Sequence, residues 1–108
     1  MTLSLPKPID AYFIADEGDS ESVAQCFTES AVVKDEGHTY HGRAAIKRWK
    51  AKASAKYQYT SEPLACEEKD ERIVVTSRLT GNFPGSPVNL RFFFGLEGDK
   101  IALLEIMP

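Results

Sequence analysis

An α+β domain, with helices laid on one face of a mostly antiparallel sheet, is what this sequence predicts, and three observations predict it. Apolar residues in the first half recur at helical spacing, Ile9, Tyr12 and Phe13 being i, i+3 and i+4. After Tyr57 the pattern changes to alternation, clearest where Leu90, Phe92, Phe94 and Leu96 share one side of a strand. The breaks between the later strands are short (Lys69-Asp70, Pro84 to Pro87, Glu97 to Asp99), which favours hairpins. Helices first and a meander of strands afterwards is the order of a two-layer α+β domain.

Each element has its own signal. Pro6 and Pro8 start the structured region, a helical pattern runs from Ile9, and Gly18 ends it. Asp19 or Ser20 can cap a second short helix that turns Val23, Cys26 and Phe27 inward. Ala31 to Asp35 is a β-prone run, and Glu36-Gly37 supplies a turn into a short return segment, His38 to His41. Gly42 breaks that segment before a third helix with Ile46, Trp49 and Ala53 on its inner side and its lysines outside. Four strands follow, Tyr57 to Glu67, Arg72 to Gly81, Val88 to Leu96 and Ile101 to Met107, and Pro63 marks the first of them as an edge strand or a bulge. Arg78 and Glu105 are placed to pair across the sheet. Phe93 falls on the outer side of its strand, a hint of an interface there.

Composition narrows the class. The 108 residues suffice for one domain with a single core, and 43% hydrophobic with 27% charged residues is the balance of an ordinary globule. No apolar run approaches the ~20 residues of a membrane span, and the start of the chain lacks the pattern of a secretory leader. Cys26 and Cys66 are too few and too far apart for a metal site or disulfide framework, so reduced thiols and a cytoplasmic location are expected. The net charge of −3 hides an asymmetry: six of the 13 basic residues lie between Arg43 and Lys56 with no acid among them. That stretch reads as the solvated face of an amphipathic helix. Nucleic-acid binding is not expected, because the aromatics needed for stacking do not interleave the lysines, Trp49 being on the inner side of the helix.

The segment FTESAVVKDEGHTYHGRAAIKRW, Phe27 to Trp49, together with Gly18-Asp19 before it and the meander after it, resembles the nuclear transport factor 2-like superfamily. Its SnoaL-like branch, with polyketide cyclases and ketosteroid isomerase-like proteins, is the most similar. The resemblance covers essentially residues 1–108 as one domain. It implies a cystatin-like cone, three helices packed on a strongly curved sheet, with an apolar cavity for a small molecule. It also implies a homodimer through the sheet and no cofactor.

Asp35 is the leading candidate for chemistry. An acid held between a strand and a helix by apolar walls can take and return a proton near neutral pH. The resemblance gives the carboxylate at the end of the Ala31 to Asp35 segment that role beside a ketone. The same acid could instead cap the Glu36-Gly37 turn. In the isomerases a first-helix tyrosine binds a developing oxyanion, which makes Tyr12 the candidate here, although counting back from Gly18-Asp19 without a gap places Ala11 at that position. Tyr12 is otherwise a core residue. The second acid of those isomerases has no counterpart in Arg91 to Phe94, which argues against authentic steroid isomerisation. His41 is a further acid–base candidate. His38 and His41, at i and i+3 of an extended segment, face opposite ways and make no metal site. Phe13, Tyr40, Trp49, Phe92 and Phe94 are expected to wall the cavity, with Trp49 able to stack on a flat ligand. The expected ligand is a small apolar or aromatic metabolite, and the expected activities are isomerase, cyclase, dehydratase or hydrolase. The alternative is a non-catalytic dimeric module that binds a ligand or a protein.

Overall fold

Proline geometry starts the first helix and glycine conformations set the turns that follow. A computed structural model describes residues 4–108. Pro6 precedes helix α1, Lys7–Ala15, which buries Ile9, Tyr12 and Phe13. Asp19 accepts the Ser22 backbone N–H at 2.8 Å and so opens α2, Ser20–Ala24, where an orphan helix donor needs a partner. Cys26 falls just beyond α2 rather than within it, its thiol directed at the Ser22 carbonyl. Strand β1, Phe27–Asp35, turns through Glu36 and Gly37, whose φ values of 52° and 77° suit a tight hairpin, into β2, His38–His41. Helix α3, Gly42–Lys56, then carries Ile46 and Trp49 inward.

Strands β3, Tyr59–Lys69, β4, Arg72–Gly81, β5, Val88–Glu97, and β6, Lys100–Met107, form the expected antiparallel meander. The six-stranded sheet has the order β2-β1-β6-β5-β4-β3, and only β1 and β6 run parallel. β3 begins at Tyr59, two residues later than the alternation suggests, because the Tyr57 N–H still closes the last turn of α3 on the Ala53 carbonyl. Pro63 sits on an edge strand beside a bulge, where its missing N–H is harmless.

One rung of side chains crosses five strands on the covered face: Ile73, Phe94, Leu104, Val33 and Tyr40 are paired in register. The core joins this rung and Phe92 to Ile9, Tyr12, Phe13, Phe27 and Ile46. Tyr12 packs edge-on to Phe13 and Phe94 with centroids 5.2 and 5.6 Å apart, the arrangement that ring quadrupoles favour. On the other face Arg91 lies over the Phe93 ring at 5.7 Å. The expected Arg78–Glu105 pair does not form. Those residues are out of register, so Glu105 approaches Arg72 at 3.4 Å and Arg78 approaches Glu62 at 3.9 Å.

Gly81 stands opposite Tyr59, and a Cβ there would run into the Gln58 carbonyl oxygen and lie 2.8 Å from the Tyr59 Cα. Both obstacles are backbone, which cannot rotate aside. Gly81→Ala is therefore expected to cost about 1–3 kcal/mol, read as a lower urea midpoint. A wild-type midpoint would show that β3 and β4 are not held this closely.

Candidate functional site

Between the helices and the sheet lies a cavity of about 370 Å³. Leu79, Val88, Leu90, Phe92 and Ile106 supply its sheet wall, Trp49 and Ala53 its α3 wall, and Tyr12 its α1 wall. Tyr57, Phe83 and Pro84 complete the apolar lining. Four further polar residues border it: Asp16, Asp35, Glu36 and Tyr59. Three of these are acids, and no basic residue borders the cavity among the described residues.

Asp35 ends β1, one step beyond the Lys34–Glu105 pair, and so reaches the cavity beside Ile106. Its Oδ2 accepts the Trp49 indole N–H at 3.0 Å. Burial pushes its carboxyl above the ordinary aspartate range, and this outweighs the Trp49 and Glu36 N–H groups that favour the charged form. Asp35, Glu36 and Ile106 also border a second space, a cleft of about 350 Å³ shared with Lys34, His38 and Thr39. The acid therefore stands between the main cavity and that cleft.

Tyr12 is only 2% exposed, yet its hydroxyl has no hydrogen-bond partner among the described residues. No fully buried side-chain polar atom lacks a partner among the described residues, so this hydroxyl opens onto the cavity that Tyr12 lines. Burial raises its phenol well above the ordinary tyrosine value, with Asp16 the largest charge contribution, and it remains a proton donor. The neighbouring Ala11 is exposed, so the helix presents Tyr12 and not Ala11 to the interior.

A second polar cluster lies on the same cavity, and reading the sequence missed it. Lys50, expected on the wet side of α3, is buried: its side chain is 2% exposed and its Nζ lies 2.6 Å from Asp16 Oδ1. Lys50 also donates to the Tyr59 hydroxyl at 3.1 Å, and that hydroxyl donates to Asp16 Oδ1 at 3.1 Å. The signal was present in the spacing, because Ile46, Trp49, Lys50 and Ala53 are i, i+3, i+4 and i+7. A lysine in the middle of an apolar stripe needs a buried partner, and Asp16 at the end of α1 provides it.

The other candidates are dispersed. Phe92 lines the cavity, whereas Phe13 and Phe94 lie in the core packing around Tyr12. Tyr40 is half-buried with its ring 6.2 Å from that of Trp49, behind the wall rather than in it. His41 is exposed on β2 opposite Val32 and does not border the cavity. The basic stretch is partly occupied as well: Arg43 donates to the Phe27 carbonyl, and Lys47 pairs with Glu21 at 2.9 Å. Among the described residues no group of three or more His, Cys, Asp or Glu could hold a metal, and no helix is long and apolar enough to cross a membrane.

Residues 10–104 match the family model of the SnoaL-like domain. The chain belongs to the SnoaL-like family. This SnoaL-like chain is 38% identical to a Sinorhizobium meliloti protein provisionally described as a polyketide cyclase, over 95% of both chains, with a TM-score of 0.90. A Catenulispora acidiphila protein of ketosteroid isomerase-like fold, crystallised with trimethylamine, superposes at a TM-score of 0.85. It is 18% identical over 97% of this chain and 87% of its own. The epoxide hydrolase/cyclase-like enzyme of pyran ring formation in salinomycin gives 0.77, at 21% identity over 93% and 86%. The last two establish the fold alone, the nuclear transport factor 2-like, cystatin-type architecture of helices on a sheet. No curated protein matches the SnoaL-like chain.

Proposed function

We propose that the cavity binds a small, largely apolar or aromatic metabolite bearing a carbonyl, and that Asp35 moves a proton on it. The observation that carries this reading is the place of Asp35: a carboxyl on an apolar cavity wall, with its pKa raised by burial and one indole N–H holding it in position. Asp35 takes a proton from the carbon beside the carbonyl and becomes the neutral acid. The resulting enolate oxygen accepts the unpartnered Tyr12 O–H, and Asp35 then returns the proton to the same or another carbon. Trp49 and Phe92 supply flat and apolar walls. The similarity to a provisional polyketide cyclase supports chemistry of this kind.

Solvent exchange tests it directly. Wild-type protein in D2O is expected to accelerate deuterium uptake beside the carbonyl of 2-tetralone, an apolar bicyclic ketone, followed by NMR. Asp35→Asn is expected to abolish most of that acceleration. Equal uptake with the two proteins, or none above buffer with either, would overturn the assignment.

A second reading has its own support. Asp35 anchors the Trp49 indole, a structural role that needs no turnover, so the same fold could serve as a non-catalytic binding module. Absence of exchange together with measurable ketone binding would favour it. In either reading the outer sheet face, where Phe93 is only half-buried, is the surface proposed for a homodimer.

A further inference from the structure

The donors and acceptors on the cavity wall specify more of the ligand than its apolar body. Asp16 Oδ1 takes both the Lys50 ammonium and the Tyr59 hydroxyl. No hydrogen bond to its Oδ2 is made among the described residues, and since no fully buried side-chain oxygen there is left unpartnered, that atom is open on a residue that lines the cavity. Tyr59 has one proton and gives it to Asp16, and burial holds its phenol well above the ordinary tyrosine value, so it stays protonated. Lys50 does not border the cavity, so the cluster presents it with an acceptor and no free donor. Tyr12 is the nearby donor, almost fully buried, aimed into the same space and without a partner.

We infer that the ligand carries a neutral hydroxyl group, which donates to the open oxygen of Asp16, and that the buried Asp16–Lys50–Tyr59 cluster is the specificity-determining pole of the cavity. This rests on the cavity being a metabolite site, as proposed above, but not on Asp35 being catalytic. Charge decides among the possible donors. Lys50 already neutralises Asp16 from 2.6 Å, so a ligand ammonium would meet a compensated pair and a second cation in a low-dielectric site. A ligand carboxylate or phosphate has no proton to give and would face Asp16, Asp35 and Glu36 with no basic residue on the lining. A hydroxyl satisfies the acceptor and adds no charge. Lys50 and Tyr59 act as positioning residues, since they touch Asp16 and hold its carboxylate so that one oxygen stays open.

The test is calorimetric titration with four bicyclic ketones: 2-tetralone and its ring-substituted hydroxyl, aminomethyl and carboxyl derivatives. The hydroxyl derivative is expected to bind about tenfold tighter than 2-tetralone, the size of one hydrogen bond to a charged group. It is also expected to bind tighter than either charged derivative. Replacing the whole cluster by residues of similar shape, Asp16→Leu with Lys50→Met and Tyr59→Phe, should bring the hydroxyl preference to near one while 2-tetralone still binds. If that protein does not fold, Asp16→Leu with Lys50→Met carries the same expectation. Equal affinity of the wild type for 2-tetralone and its hydroxyl derivative would overturn the inference, as would a preference that survives loss of the cluster or tighter binding of a charged derivative. Asp35→Asn should keep the hydroxyl preference, so failure of the proton-transfer reading leaves this result standing. Heat from none of the four would overturn both.

Discussion

Lys50→Met is expected to remove about 3–5 kcal/mol of stability, the cost of breaking a buried ion pair from one side. The lysine side chain is 2% exposed and the Asp16 side chain 8%, so each charge is held largely out of water and loses its main compensation when its partner goes. Tyr59 would then hold Asp16 alone, with one neutral hydrogen bond in place of an ammonium at 2.6 Å. For a domain of this size the melting temperature should fall by at least about 12 °C. Asp16→Leu combined with Lys50→Met should cost much less, because paired removal leaves no uncompensated charge. Thermal melts of the single and double variants read both effects, and a Lys50→Met protein as stable as wild type at neutral pH would show that the pair contributes nothing.

The Asp35→Asn protein is expected to lose about 10²–10⁴-fold in ketone proton exchange and to gain stability at neutral pH. Folding raises the Asp35 carboxyl, so the folded chain holds this proton more firmly than the unfolded chain. Stability from this residue is greatest below the unfolded aspartate value and declines as pH rises through the window up to the folded value. At neutral pH the ionised acid is a cost, which asparagine avoids while still accepting the Trp49 N–H. The variant should therefore melt higher, a gain of about 0.5–2 kcal/mol being the usual range for such replacements. Exchange by the wild type should rise with pH through the same raised value, since only the carboxylate can take a proton. Trp49→Phe deletes a donor that favours the charged form and should move that rise to higher pH. An Asp35→Asn protein that melts lower would indicate that the acid is there to hold the turn.

The fold was legible because its signals were local. Pro6, the Asp19 cap, the Glu36-Gly37 turn and the alternation through Leu90, Phe92 and Phe94 each act over a few residues, and each appears where the pattern places it. The site was half legible. Asp35, Tyr12, Trp49 and Phe92 reach the cavity. The Asp16–Lys50–Tyr59 cluster did not come out of the reading because its members are separated by up to 43 residues in sequence and meet only through packing. A lysine surrounded by other lysines in α3 reads as solvated until Asp16 is known to face it. His41 failed for the opposite reason: chemistry suggested a role, but the short edge strand β2 leaves its side chain at the surface.

The parallel pairing of β1 with β6 has a consequence for when the protein can work. The strand that bears Asp35 is made before the meander, yet its neighbour toward the middle of the sheet is the last strand of the described chain, and Ile106 of that strand lines the cavity. Until β6 emerges from the ribosome, β1 has only the short β2 beside it, and the meander β3–β4–β5 has no connection through the sheet to the acid. The cavity wall that carries Asp35 and Ile106 is therefore assembled only once β6 has been made. Joining the two halves is a long-range step of the sort that slows folding and leaves strand edges exposed to aggregation in the interim.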